Sequence, residues 1–255
     1  MYNYLAMLID LHTHTHPLSD DSELSPDDLI INARRAGLDG VCLTEHDAFW
    51  NESDIEALRQ KHDFLVLAGA ELNTEEEHII VFGLSKWVLG MSRAAFVIEQ
   101  VAKAGGVAIV AHPFRRKIFR GSDDPGDERF NRELDRACAN PLFSQVAAIE
   151  VRNAHADERE NAFSQALADR LKLHGFGGSD AHESADIGHA ATYFEREIKS
   201  LDDLIAEIKA GRFRALTSTE IDQKLKPSTE KRKGSKFTEA IERMKKSGLY
   251  AEFRD

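Results

Sequence analysis

Histidines and carboxylates in this chain recur at the ends of short apolar runs that are typical of β-strands. The first run leads into Asp10-Leu11-His12-Thr13-His14. In an extended segment, residues two apart point to the same side, so His12 and His14 can face one metal ion. Imidazole nitrogen and carboxylate oxygen without thiolate suit zinc, manganese or iron. The spacing therefore predicts a metal site at this strand end.

Other strand ends repeat the arrangement. They are Thr44-Glu45-His46-Asp47, Gly69-Ala70-Glu71-Leu72-Asn73, Ala111-His112-Pro113 and Ser179-Asp180-Ala181-His182, and His78 begins a further run. A single histidine at a strand end is usually a hydrogen-bonding or surface residue, but the coincidence of so many favours one shared site. In a barrel of parallel strands, all C-terminal ends meet at one face. Two ions there, bridged by a carboxylate such as Glu71 or Asp180, could clamp a phosphate and generate hydroxide near neutral pH.

The elements between these segments alternate apolar runs with amphipathic stretches, which predicts βα units around a parallel sheet. Ser25 and Pro26 are typical of a helix start, and Gly37 of a helix end. The run Phe64–Glu71 is interpreted as one strand. About seven or eight strands of this kind are enough to close a barrel if the sheet curls.

The composition limits the classes of function. The chain has 255 residues, 42% of them hydrophobic and 30% charged, with a formal net charge of −11. This length fits one large α/β domain, and the negative charge argues against stable binding of duplex DNA. Two cysteines, Cys42 and Cys138, exclude a disulfide framework and indicate a reducing compartment. Neither an apolar run of roughly 20 residues nor a signal peptide is present, which predicts a cytoplasmic protein with no membrane partner.

The last stretch differs from the rest in charge. Residues 222–255 contain ten Lys or Arg and six Asp or Glu. We therefore predict a single domain over 1–221, followed by a basic linker and helix over 222–255. For the helix, packing on the surface of the domain is favoured over contact with a nucleic acid.

Taken together and in order, the motifs closely resemble those of the polymerase and histidinol phosphatase (PHP) family, from about residue 7 to about residue 216. The resemblance rests on Asp-Leu-His-Thr-His-Thr at 10–15, Leu-Thr-Glu-His-Asp at 43–47, Gly-Ala-Glu-Leu at 69–72, Ala-His-Pro at 111–113 and Gly-Ser-Asp-Ala-His at 178–182. It implies a distorted (β/α)7 TIM-like barrel with a trinuclear metal site at its C-terminal face.

The resemblance also implies which residues hold the two or three divalent ions, with zinc, manganese and iron left open. The first ion would be held by His12, His14, Glu71 and Asp180. Glu71 would bridge to a second ion, which His78 and His112 complete. A third would use His46, His182 and the residue six beyond His14, which is Asp20. Asp21 adjoins Asp20, and a shift of one residue would exchange them.

A phosphate ester also needs a cationic partner. Arg115 and Arg116 follow His112 by three and four residues, on a loop at the expected active-site face. Guanidinium groups bind phosphate through two parallel hydrogen bonds. Both arginines are therefore candidate phosphate-binding residues, and Arg115 is preferred because Arg116 belongs to a basic run.

The leading hypothesis is a metal-dependent phosphoesterase that hydrolyses a small phosphomonoester, a nucleotide or a short oligonucleotide through a hydroxide bridging two ions. One alternative is an amidohydrolase-like enzyme acting on a C–N bond, which would typically need a carbamylated lysine that no predicted strand offers. The other is a non-catalytic regulatory PHP domain, which the ligand-type residues at all nine positions disfavour. The general acid and the oligomeric state stay open.

Overall fold

The computed structural model describes residues 6–115 and 127–221. The chain divides into two compact units, Met1–Ser218 and Thr219–Asp255. Arg116 and the predicted basic extension 222–255 lie outside the described residues, so both stay predictions. Within the described ranges, no helix is long and apolar enough to cross a membrane.

The first unit is a mixed α/β fold, as the sequence predicts. Its described strands are β1 (Met7–Thr13), β2 (Gly40–Leu43), β3 (Leu65–Ala68), β4 (Ala70–Asn73), β5 (His78–Phe82), β6 (Val107–Val110), β7 (Ala148–Asn153), β8 (His174–Gly178), β9 (Ala190–Phe194) and β10 (Phe213–Thr217). Its described helices are α1 (Pro26–Arg35), α2 (Glu52–His62), α3 (Ala94–Lys103), α4 (Glu128–Cys138), α5 (Glu158–Leu171) and α6 (Leu201–Lys209), with a short 3-10 helix at Pro141–Ser144.

These strands form two five-stranded sheets rather than one all-parallel sheet. The first has the order β10-β9-β1-β2-β3, in which β1, β2 and β3 run parallel and β9 runs antiparallel to both β1 and β10. The second has the order β4-β5-β6-β7-β8, in which β6, β7 and β8 run parallel and β5 runs antiparallel to both β4 and β6. The expectation of seven parallel strands is therefore corrected to two mixed sheets.

The chain passes from one sheet to the other at Gly69. The predicted single strand Phe64–Glu71 is split there into β3 and β4, which belong to different sheets. A Cβ atom at Gly69 would lie 2.7 Å from Phe82 Cε1 and 3.0 Å from the Val81 carbonyl oxygen. Only glycine permits this close approach. The strand is therefore interrupted by the contact of Gly69 with β5, which the continuous apolar pattern of residues 64–71 does not reveal.

Helix ends follow the local sequence more closely. The Ser25 hydroxyl accepts a hydrogen bond of 3.1 Å from the Asp28 backbone N–H, and Pro26 opens α1. Asp157 and Glu160 form a reciprocal capping box at the start of α5. By contrast, α2 buries only Ile55, so its sequence has little of the apolar periodicity that indicates a helix.

Apolar side chains pack on both faces of the strands. One core cluster takes Ile9 of β1, Ile80 of β5 and Phe176 of β8, so it is shared by the two sheets. A second cluster takes the alternate residues of β5, such as Ile79 and Val81, and packs them against α3, α4 and α5. Burial on both faces explains why these strands read as continuous apolar runs.

Candidate metal centre

The sheets bring eight of the nine predicted ligand residues together at one edge. We refer to these eight as the ligand cluster: His12, His14, His46, Glu71, His78, His112, Asp180 and His182. They fall into four overlapping groups of three, and within each group the ligand atoms lie within 4.8 Å of one another. This is the spacing that a shared set of metal ions requires.

Strand pairing explains how residues so distant in sequence meet. An isolated bridge pairs His46 with Glu71, and another pairs Thr13 with Ala181. His78 begins β5, but that strand runs antiparallel to β4 and pairs His78 with Asn73. The start of β5 therefore lies beside the end of β4, at the same edge as the other strand ends.

Glu71 lies at the middle of the cluster and is fully buried. Each of five histidines places a ring nitrogen close to its carboxylate. The distances to the nearest Glu71 oxygen are 3.3 Å from His12 Nε2, 3.3 Å from His14 Nε2, 3.0 Å from His46 Nδ1, 2.9 Å from His78 Nδ1 and 3.0 Å from His112 Nε2. One carboxylate thus contacts histidines assigned to all three predicted ion sites.

Asp180 follows β8 in the second sheet and contacts two histidines from the end of β1 in the first sheet. Its Oδ1 atom lies 3.3 Å from His12 Nε2 and 3.2 Å from His14 Nε2. Its Oδ2 atom accepts a hydrogen bond from Arg115 Nη1 and another of 3.3 Å from Asn153 Nδ2. Asp180 therefore joins His12 and His14, at the end of β1, to Arg115, the preferred candidate for binding phosphate.

The donor set fits divalent metal ions. His12 Nε2, His14 Nε2, His46 Nδ1 and Glu71 Oε2 are all buried, and none has a hydrogen-bond partner among the described residues. Leaving a buried polar atom unsatisfied costs about 1–3 kcal/mol. A cation bound between His12, His14 and Glu71 would satisfy three of these atoms, because the ligand atoms of these residues lie within 4.8 Å of one another.

The third predicted site needs a correction. Asp21 Oδ2 lies 3.4 Å from His46 Nε2 and 3.3 Å from His182 Nε2. Asp20, the residue chosen from the spacing, forms no ion pair with either histidine in the described part of the chain. The turn after His14 therefore delivers the second aspartate to the two histidines, not the first. His14 also stacks on both rings, with centroid distances of 4.2 Å to His46 and 4.5 Å to His182.

The backbone around the cluster adopts conformations that are costly for residues other than glycine. The φ angle is +21° at His112, +66° at Phe114, +56° at Asp180 and +50° at Asp47. Such conformations persist where the surrounding structure enforces them, and they concentrate at functional sites. Two ligand-cluster residues are held in this way.

Burial and charge shift the proton affinities of the cluster in opposite directions. Burial alone would raise the pKa of Glu71, but the charge of His12 and the close contacts with the other histidines hold it well below its usual value. Burial also opposes protonation of His14, yet the close contacts of its ring with Asp180 and Glu71 raise its pKa to about 9. The pKa of His12 is raised as well, by the charges of Asp180, Glu150 and Glu71 against the effect of burial. In the metal-free protein, protons on these histidines thus balance the buried carboxylates.

Sequence reasoning missed Glu150, which lies in β7 behind the cluster and is 1% exposed. Its Oε1 atom lies 3.1 Å from His12 Nδ1, and its Oε2 atom accepts a 2.7 Å hydrogen bond from the His112 backbone N–H. A signal was present, because Glu150 is the single charged residue in the apolar stretch Ala147–Val151. A charge inside a buried strand needs a partner at hand.

A cleft of about 480 Å³ opens onto the cluster. Five ligand-cluster residues line it, together with Asp21, Arg115 and the acidic turn Thr74–Glu77. Arg115 is one-fifth exposed and points its guanidinium at Asp180, so it can meet an anion that enters the cleft. His155, which belongs to none of the motifs, also lies beside the cluster, with its ring centroid 5.8 Å from that of His182.

Comparisons with known proteins show which families and solved structures this chain resembles. A family model described as PHP-associated matches residues 158–213. The fold resembles that of a Bifidobacterium adolescentis protein proposed to be a metal-dependent phosphoesterase, with a TM-score of 0.53 and 17% identity over 69% of this chain and 88% of that one. It also resembles a two-domain protein of Bacteroides vulgatus that contains a proposed PHP-like metal-dependent phosphoesterase, with a TM-score of 0.59 and 18% identity over 85% of this chain and 66% of that one. Residues 158–213 thus match a PHP-associated family model, and the fold resembles that of these two solved structures.

Two further comparisons show the breadth of the similarity. The chain shares 27% identity with an uncharacterised protein of Methanocaldococcus jannaschii, over 51% of this chain and 78% of that one. A Chromobacterium violaceum protein named as an amidohydrolase, with bound sulfate and no metal, has a similar fold at a TM-score of 0.54 and 16% identity, over 82% of this chain and 98% of that one. At these identities, the solved structures bear on the fold and not on the substrate.

Proposed function

We propose that this protein is a metal-dependent phosphoesterase of the PHP family that hydrolyses a small phosphomonoester, a nucleotide or a short oligonucleotide. The observation that carries the proposal is the set of four buried, unpartnered ligand atoms around Glu71. The names of two structural neighbours support the same class of enzyme.

The residues that would hold the ions follow from the contacts of the ligand cluster. His12, His14, Glu71 and Asp180 would hold the first ion, and Glu71, His78 and His112 the second. For the third, we assign His46, His182 and Asp21 in place of Asp20. Two or three ions of zinc, manganese or iron fit this set. When bound, such ions supply Lewis acidity and activate water near neutral pH.

The chain's own residues then bind and orient the substrate. Arg115 lies in the cleft and can exchange its contact with Asp180 for two hydrogen bonds to phosphoryl oxygens. Its positive charge would stabilise the negative charge that grows on those oxygens during hydrolysis. Arg115 is therefore assigned the binding and stabilising role that was predicted for the pair Arg115 and Arg116.

The acidic turn at the cleft favours a small substrate. Glu75 and Glu76 are exposed beside the ligand cluster, and the whole chain has a net charge of −11. Both features repel a long polyanion, so stable binding of duplex DNA is not expected. A single phosphate group close to Arg115 meets the least repulsion.

One observation favours a second candidate, hydrolysis of a C–N bond. The Chromobacterium violaceum neighbour is named as an amidohydrolase. The described residues that line the cleft include no lysine, however, and such enzymes typically carry a carbamylated one. We therefore rank this reaction second.

The architecture and location belong to the proposal as well. We propose that the two sheets are the halves of a distorted barrel, because the bridges Thr13–Ala181 and His46–Glu71 join them at the cluster. The two free cysteines fit a cytoplasmic location. We keep residues 222–255 as a separate basic extension of the catalytic domain.

The test is an assay of metal-quantified protein with manganese. The substrates are an aryl phosphate, a nucleoside monophosphate, histidinol phosphate, a short oligonucleotide and an aryl amide. We expect metal-dependent release of phosphate or nucleotide that Asp180→Ala abolishes and that the exposed-site control Asp20→Asn retains. Metal-dependent cleavage of the amide alone would favour the C–N hydrolase, and a protein that binds no metal would overturn both.

A further inference from the structure

A single carboxylate behind the ligand cluster contacts residues from three different parts of the chain. Glu150 faces the ring of His12 on β1, the backbone of His112 after β6, and the side chain of Asn153 at the end of β7. The three distances are 3.1 Å to His12 Nδ1, 2.7 Å to the His112 nitrogen and 3.0 Å to Asn153 Nδ2. Each described partner lies in the ligand cluster or contacts it.

We propose that Glu150 is a positioning residue that sets the orientation of His12 and His112 and thereby the affinity of the centre for its ions. The inference rests on the metal centre proposed above. It assigns to Glu150 a role that acts through other residues, since the carboxylate itself does not face the cleft.

The contact with His12 decides which ring nitrogen is left for an ion. A carboxylate beside Nδ1 keeps a proton on that nitrogen. The other nitrogen, Nε2, lies 3.3 Å from both Glu71 and Asp180 and has no hydrogen-bond partner in the described structure. Glu150 therefore leaves Nε2, which faces the two carboxylates, as the ring nitrogen of His12 that can bind an ion.

The contact with His112 holds a backbone that would otherwise relax. His112 has a φ angle of +21°, outside the regions that L-residues ordinarily occupy. Its N–H donates to Glu150 at 2.7 Å, the shortest of the three contacts. Fixing this peptide directs the His112 side chain to Glu71 Oε1 at 3.0 Å.

A glycine in the neighbouring strand makes room for this arrangement. A Cβ atom at Gly178 would overlap the Cβ of His12 and lie 2.8 Å from Glu150 Oε1. Asn153 extends the network, because its Nδ2 atom donates to Glu150 and, at 3.3 Å, to Asp180. The close packing leaves Glu150 and His12 little freedom to move apart.

The test compares zinc binding by Glu150→Gln and by Glu207→Gln, using competition with a chelator and no substrate. Glu207 is a matched control, since it is also buried but lies in α6 and pairs with Arg212, not with a residue of the ligand cluster. We expect zinc affinity to fall by about 10- to 100-fold in Glu150→Gln and to stay within a factor of 2–3 of wild type in the control. Equal zinc affinity in wild type and a folded Glu150→Gln would overturn the inference.

A second measurement needs no variant. Nitrogen-15 NMR of the zinc-loaded wild type reports which nitrogen of His12 carries a proton. We expect a proton on Nδ1 and zinc at Nε2; the reverse arrangement would overturn the inference even if Glu150→Gln failed to fold. If wild type binds zinc but either measurement contradicts the role of Glu150, the inference fails and the proposed function stands. If wild type binds no zinc, both the inference and the proposed function are overturned.

Discussion

Two glutamates of this protein are fully buried at neighbouring strand ends, yet their surroundings are opposite. Glu45 accepts hydrogen bonds from Thr15 N at 2.7 Å, Thr15 Oγ1 at 2.5 Å, Ser19 Oγ at 2.6 Å and Trp50 Nε1 at 2.8 Å. Glu71 lies among five histidines, and its Oε2 atom has no hydrogen-bond partner among the described residues.

The difference distinguishes a structural role for Glu45 from a metal-binding role for Glu71. Hydroxyl, amide and indole donors satisfy Glu45, which ties the loop after β1 to the end of β2. The atoms around Glu71 are held close together without satisfying one another, a state that costs free energy unless a cation completes it. The satisfied carboxylate of Glu45 thus indicates a structural role, and the unsatisfied Oε2 atom of Glu71, with unsatisfied histidine nitrogens beside it, indicates a bound ion.

The largest expected effect comes from replacing the unsatisfied glutamate. Glu71→Gln should remove bound metal and lower phosphoesterase activity by more than the roughly 10- to 100-fold that a residue behind a ligand costs. The free energy of unfolding of the metal-free protein should fall as well, because the protonated, buried histidines would lose a carboxylate that balances them. Metal analysis, kinetics and denaturation of the same preparation check this. If Glu71→Gln kept its bound metal, the proposed metal-binding role of Glu71, in contrast to Glu45, would be contradicted.

The third ion site gives the next largest effect. Asp21→Asn should lower activity by about 10- to 100-fold and remove one ion per chain, because Asp21 contacts both His46 and His182. Asp20→Asn is the matched control and should behave as wild type, since Asp20 is also exposed but forms no ion pair with these histidines in the described structure. The opposite outcome for the two variants would restore the assignment based on spacing.

Replacing the satisfied glutamate should affect stability instead of metal binding. Glu45→Gln should lower the free energy of unfolding of the metal-free protein by about 1–3 kcal/mol, because an amide group would face donors with its own N–H groups. Zinc affinity should stay within a few-fold of wild type. Denaturant titration and chelator competition measure the two quantities, and a loss of affinity without a loss of stability would contradict the scaffold role.

Proton release on metal binding is the smallest of these effects. The pKa of His14 is raised to about 9 and that of His12 is raised above its usual value, so both hold a proton at pH 7 in the metal-free protein. An ion at their Nε2 atoms displaces these protons, and we expect release of about two protons at pH 7, declining as the pH rises through about 9. Calorimetry in buffers of different ionisation enthalpy measures the number. Uptake of protons, or no release, would contradict the charge balance described for Glu71.

The same pKa shift affects the metal-free fold. Burial lowers the proton affinity of His14, but its bonds to Asp180 and Glu71 outweigh that effect. Because the folded-state pKa exceeds the ordinary value of 6.5, the stabilisation is complete below pH 6.5 and is lost as the pH rises through about 9.

Local patterns predicted those features that local chemistry determines. The strand ends with ligand-type residues and the capped start of α1 were evident, because residue type and spacing specify them. The split at Gly69 was not, since it depends on Phe82. The choice between Asp20 and Asp21 depends on the path of one turn, and Glu150 contributes through contacts with strands far away in sequence.

The most direct test of the metal centre is an anomalous difference map from zinc-soaked crystals, recorded at the zinc absorption edge. We expect peaks at about 2.0–2.2 Å from a Glu71 carboxylate oxygen and from the Nε2 atoms of His12 and His14. Peaks only at exposed histidines such as His16 and His189, with none at Glu71, would contradict the assignment of this cluster as a metal centre.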